Sequence, residues 1–181
     1  MNTSGSRRAF LPARCASTEE ALELFDSLDA IDTGFMLGAW SGGEFPTGHP
    51  LDGVLGAYGW HGKRFDSEER VHPLLFGDGK RTFAVRPAWA WPGLPLVQRW
   101  PWLKSRAVSR GLRVFLPLLA TRRSQARLRM IQFRGRTTAA MVYDAIPVHD
   151  VFRKVDGDTV LGLMDAKGME RPFFFLLRRE R

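Results

Sequence analysis

Apolar positions change rhythm along this chain, and each change predicts a different kind of element. From Ser17 onward, Ala21, Leu22, Phe25 and Leu28 recur at helical spacing. Ser17-Thr18-Glu19-Glu20 has the spacing of a capping box, with Ser17 placed to cap and Glu20 to reach back. The pattern predicts a helix of about three turns, ending near Asp29 to Thr33 and lying across the end or outside of a sheet. The stretch Gly34 to Pro50, GFMLGAWSGGEFPTGHP, then opens a strand. Phe35, Met36 and Leu37 lead into Gly38, Trp40 and Gly42, a Gly-x-Trp-x-Gly core that suits a strand burying one indole and then bending sharply. A loop with Pro46, Gly48, His49 and Pro50 follows, then a short helix over Leu51 to Tyr58. Trp60 to Phe65, Val71 to Phe76 and Arg81 to Arg86 read as strands, the last two joined by a turn at Gly77-Asp78-Gly79.

The middle of the chain breaks the rhythm. Pro87 to Ala120 holds Trp89, Trp91, Trp100 and Trp102 among Pro87, Pro92, Pro95, Pro101 and Pro117, too many prolines for a central strand. Trp102 to Leu116 remains a helix candidate, although its charges do not separate cleanly from its apolar residues, and the segment reads as an irregular cap. From Ala126 the pattern is strand and turn. Arg127, Arg129, Gln132 and Arg134 interleave with Leu128, Met130, Ile131 and Phe133, and Thr137 to Tyr143, Val148 to Val155, Thr159 to Met164 and Pro172 to Leu177 follow at short intervals. Some eight or nine strands in antiparallel order are enough to close a barrel. The predicted fold is mainly β: a closed antiparallel barrel with an N-terminal helix and a helical, Trp- and Pro-rich cap. Residues 1–16 read as a disordered basic tail and 17–181 as one barrel domain, divided into 17–86, the cap 87–124, and a C-terminal meander 125–181.

Composition narrows the setting. A chain of 181 residues is long enough to bury a core or enclose a cavity. Cys15 is the single cysteine, which excludes an internal disulfide and fits a reducing compartment. Residues 1–16 lack the apolar run of a signal peptide, and no stretch of about 18 apolar residues exists, so a soluble cytoplasmic protein is expected, with peripheral membrane contact left open. The net charge of +8 is concentrated: from Gly79 to Tyr143 there are 14 Lys and Arg and no Asp or Glu. A one-sign block implies an anionic neighbour, whether nucleic acid, anionic lipid or an acidic small molecule. Tryptophans among prolines are unlike the strand-borne Phe and Tyr of RNA-recognition folds, which argues against nucleic acid. Trp and Arg together suit a membrane interface. The remaining reading puts most of these tryptophans in the core and the arginines on an exposed face.

Gly38-Ala39-Trp40-Ser41-Gly42, with His49-Pro50 and Trp60-His61-Gly62-Lys63-Arg64-Phe65, resembles the bacterial GXWXG domain family. MVYDAIPVHDVFRKVDGDTVLGLMDAKG, from Met141 to Gly168, resembles the domain of unknown function that accompanies it, and the two cover about residues 18 to 180. The opening motif is also similar to the start of the first strand in lipocalins, fatty-acid-binding proteins and nitrobindins, where the Trp plugs the closed end of a barrel. The resemblance implies a calycin-like barrel and, by analogy, an apolar ligand inside it. A nitrobindin-type haem would need an axial His, and neither His149 nor His72 maps onto one, so no cofactor is expected and haem is left as a minor alternative.

Several side chains are candidates for the chemistry. Trp40 reads as structural or as ligand-contacting. His49 has the imidazole to act as a general base or to bond a ligand, against the alternative of a loop His tied to backbone. Lys63 either neutralises an anionic head group at a barrel mouth or faces solvent. Asp144, Asp150 and Asp165 either bring two carboxylates together in the cavity, with raised pKa values, or bond Arg153, Lys154 and Lys167. Tyr143, Asp165 and Lys167 join Trp40, His49 and Lys63 as the candidate ligand-binding set. There is no Gly-x-Ser-x-Gly, P-loop, His-Glu-x-x-His or Cys-x-x-Cys, and the histidines form no i, i+4 pair, so no metal is expected. Two functions stay open. One is a binding protein holding a lipid or other apolar, amphiphilic and anionic ligand, with association to an anionic membrane through 79–143. The other is a cofactor-independent isomerase, dehydratase or cyclase with His49, Asp144 or Asp165 as base.

Overall fold

A computed structural model describes residues 17–77, 81–93, 96 and 99–181. The tail 1–16, with Cys15, and the middle of the turn at Gly77-Asp78-Gly79 lie outside the described residues. Helix α1 (Thr18–Ser27) starts where the sequence places it, because Ser17 Oγ accepts the Glu20 N–H at 3.2 Å. Phe35 and Met36, expected to lead into the strand, instead belong to a helical turn, α2 (Thr33–Met36). The Asp32 carboxylate causes this by accepting the Phe35 N–H at 2.7 Å. Strand β1 (Gly38–Glu44) follows, then α3 (Val54–Tyr58), β2 (Trp60–Ser67), β3 (Arg70–Gly77) and β4 (Thr82–Val85).

The cap holds α4 (Pro87–Ala90), a 3-10 turn at Pro101–Lys104, α5 (Arg106–Arg113) and a second 3-10 turn at Leu116–Leu119. The single helix expected from Trp102 to Leu116 is therefore three pieces: Ser105 is extended, at φ −61° and ψ 146°, and Pro117 interrupts the far end. Short β5 (Ala120–Thr121) returns to β4, and the meander consists of β6 (Ala126–Phe133), β7 (Arg136–Tyr143), β8 (Val148–Lys154), β9 (Thr159–Ala166) and β10 (Phe173–Arg179).

All pairings are antiparallel, and eight strands close the barrel in the order β1-β2-β3-β6-β7-β8-β9-β10, with β10 back on β1. Closure is uneven at β3. Its first half meets β6 at Val71↔Ala126, while its second half turns to β4 through Leu75, Phe76 and Gly77. The sheet thus forks, and the cap is the connection between the two strands of the β4–β5 arm.

Alternation along the strands sorts the core into two clusters. Trp40, Phe65, Met141, Phe152, Val160 and Phe175 belong to the interior. Val151, Leu161, Leu163 and Phe174, their neighbours of opposite parity, pack on Ala21, Phe25 and Leu28 of α1. Covering the outer face of β8–β10 is what makes these strands apolar on both sides. Arg153 is also buried there, its guanidinium 5.2 Å from the Phe25 ring centre, and burial lowers its pKa.

Candidate ligand-binding site

The two ends of the barrel differ. At one end the fully buried Trp40 donates from Nε1 to the Met36 carbonyl at 2.8 Å. Arg179 lies 4.3 Å above its ring and donates to the carbonyls of Leu37 and Phe35 at 2.8 and 2.6 Å. This end is a plug. The other end of β10 begins at Phe173, about 20 Å away at strand rise, and lines an apolar cavity of about 310 Å³.

Leu51, Leu55, Leu74, Phe76, Val148 and Met164 wall this cavity, and the cap contributes Pro87, Trp89, Trp91, Leu116 and Leu119. Tyr58 and Tyr143 also line it; Tyr58 donates its hydroxyl to the Leu103 carbonyl at 3.2 Å, joining α3 to the cap. Lys104 fastens the cap further, donating to the carbonyls of Pro50 and Asp52 at 3.0 and 2.8 Å.

Behind Tyr143 is a buried polar trio. Tyr143 donates to Asp150 Oδ2 at 3.3 Å, and Lys63 Nζ stands 2.8 Å from the same oxygen. Lys63 also donates to the Pro73 carbonyl at 3.2 Å and lies 4.9 Å from the Phe175 ring centre. Burial, reinforced by the Asp150 carboxylate, raises the Tyr143 phenol well above its ordinary pKa, so it stays protonated and acts as a donor. Asp150 Oδ1 and Trp60 Nε1 are buried with no hydrogen-bond partner.

Several expectations are corrected by placement. Lys63 is neither at a mouth nor in solvent, since β2 turns it into the barrel against Asp150. Asp144 is exposed beside Arg127, 3.8 Å away, and Asp165 points outward on β9 with His149 Nε2 at 3.4 Å, so neither reaches the cavity. Lys167 is exposed beyond β9. Nor do the three aspartates bond Arg153, Lys154 and Lys167: Asp150 bonds Lys63 and Tyr143 instead.

His49 is buried behind the cavity wall. Its Nδ1 accepts the Leu51 N–H at 3.1 Å, its ring lies 5.5 Å from Phe173, and burial lowers its pKa. A ring nitrogen occupied in this way holds a loop together. His72 lines a separate surface pocket with Arg64 and Arg122, and His149 is on the outer face.

Asp150 was legible in part. In Val148-His149-Asp150-Val151-Phe152 it shares parity with two large inward residues, and an acid at such a position needs a buried partner. That the partner is Lys63, from a distant strand, has no signal in the sequence.

Comparison with known proteins agrees with this architecture. Residues 23–80 match the model described as GXWXG protein, and residues 124–179 match the Domain of unknown function (DUF4334). A crystal structure of a protein from Thermomonospora curvata is 32% identical, with a TM-score of 0.67 over 93% of this chain and 91% of that one. No curated protein matches the chain. With its motif strand, its meander and a relative spanning nearly its whole length, the chain belongs to the GXWXG protein family, in the form that carries a C-terminal DUF4334 domain.

Proposed function

We propose that this protein binds a small, largely apolar molecule in the open end of its barrel, with one neutral polar group of the ligand at Tyr143. The observation that carries the reading is the join between an apolar cavity of about 310 Å³ and the Tyr143–Asp150–Lys63 trio. Apolar walls with a few fixed polar groups are the usual composition of such sites. An anionic head group fits less well than a carbonyl, ester or hydroxyl. The Lys63 charge is already answered by Asp150, and none of the described residues lining the cavity carries a formal charge. The single Tyr143 proton, which otherwise goes to Asp150, turns to a ligand oxygen, while Lys63 stays on the carboxylate.

A second reading, cofactor-independent acid–base catalysis, draws on Asp150, whose Oδ1 has no partner. In that case Asp150 rather than His49, Asp144 or Asp165 supplies the base, with Tyr143 polarising a carbonyl. Native mass spectrometry of freshly purified protein, followed by organic extraction, tests the binding reading. A stoichiometric neutral amphiphile supports it, and protein that stays at its sequence mass when offered neutral amphiphiles in excess overturns it.

A further inference from the structure

The cap wears its apolar side chains outward. Trp89, Trp100, Trp102, Val114, Phe115 and Leu118 are exposed, between 48% and 79%, and all large exposed apolar residues except Leu37 and Met130 lie in this part of the chain, among the described residues. Helix α5 runs counter to the usual surface helix, whose apolar stripe faces the core. Among its described side chains only Ser109 is buried, while Leu112 and the following Val114 and Phe115 face solvent. So many large apolar side chains exposed in one segment of the chain mark it as an interaction site.

Charge identifies the partner. Residues 87–124 contain seven Lys and Arg and no acid. A second copy is disfavoured, because a two-fold interface would set this cationic face against itself. Nucleic acid would match the charge but not the protruding aliphatic residues Val114 and Leu118. A bilayer containing anionic lipid satisfies both, with aromatic and aliphatic groups in the interface and arginines at the head groups.

We propose that the cap docks the protein onto an anionic membrane with the cavity mouth facing the lipid. Trp89 ties the two together, being 63% exposed and also part of the cavity lining. An apolar ligand then passes between acyl chains and cavity without crossing water. This passage rests on the ligand-binding reading; docking does not.

The test is flotation of the full chain with vesicles of phosphatidylcholine alone or mixed with phosphatidylglycerol. Binding is expected to the mixed vesicles, weakened by salt, with tryptophan emission shifted to the blue and quenched by brominated acyl chains. Phe115→Ser with Leu118→Ser should weaken partitioning about tenfold or more. Arg110→Gln with Arg123→Gln should weaken it about 30-fold. All four side chains are exposed, and circular dichroism checks that the variants stay folded.

Absence of binding to the mixed vesicles overturns the proposal. So does binding without quenching that Phe115→Ser and Leu118→Ser leave unchanged, or a lipid-free dimer that this pair dissolves. Vesicle binding by protein that never yields or takes up a ligand would leave docking standing and remove only the ligand reading.

Discussion

Lys63 Nζ and Asp150 Oδ2 are 2.8 Å apart inside the barrel, on side chains that are 3% and 1% exposed. Removing one member of such a pair strands the other charge without water, at about 3–5 kcal/mol. Lys63→Met and Asp150→Leu should each be destabilising on that scale, and the double variant less so than either single. Urea denaturation of the four proteins gives the coupling. Additive losses would mean that the two side chains do not act as a pair.

Gly42 owes its place to Trp60. A Cβ at Gly42 would fall 2.1 Å from the Trp60 ring, and the ring in turn packs edge-on against Phe175 at 5.8 Å. Gly42→Ala should therefore cost about 1–3 kcal/mol, as overpacking does. Trp60→Leu in the same chain should recover part of the loss. Thermal melts of the single and double variants decide it, and Gly42→Ala with an unchanged midpoint would exclude the clash.

The motif was legible, but the reason for its second glycine was not. Backbone freedom explains Gly38, at φ 116°, whereas Gly42 answers to a side chain from the next strand. Strand periodicity gave the meander because parity is a local property. It also hinted that Asp150 faces inward. It gave no distance between β2 and β8, so Lys63 read as a cation at a barrel mouth or in solvent. Asp144 and Asp165 were misplaced for the same reason: the parity of a residue at a strand end depends on register, and one step reverses it. The outward-facing cap had a signal in its poorly separated charges and apolar residues, which fit neither a core helix nor an ordinary surface helix.

Buried histidines set the acid side of the stability profile. Burial depresses the pKa of both His49 and His72, and His49 must stay neutral at Nδ1 to accept the Leu51 N–H. With a folded-state pKa below the unfolded value of about 6.5, each contribution is complete above that pH and is lost as pH falls through the folded pKa. The hydrogen bond from Arg134 lowers the Asp26 pKa, which adds a second decline in the carboxylate range. Stability should be flat above about pH 6.5 and fall below it. His72→Gln should flatten the first decline. Denaturant midpoints across pH measure this, and parallel curves for wild type and His72→Gln would show that His72 burial carries no proton linkage.

Two substitutions in the cavity separate its shape from its polar end. Leu74 and Tyr143 both line it, but only Tyr143 connects to Asp150. Leu74→Trp fills space, so it should abolish uptake of any apolar ligand whatever its head group. Tyr143→Phe keeps the volume and removes one donor. It should weaken a ligand with a carbonyl or hydroxyl by about 1 kcal/mol, near fivefold, while leaving a pure hydrocarbon of equal size unaffected. Displacement of an environment-sensitive fluorescent probe by paired ligands, with and without the oxygen, measures both. A Tyr143→Phe effect equal for the two ligands would mean that the trio serves the fold alone. A Leu74→Trp protein that still binds would place the ligand elsewhere.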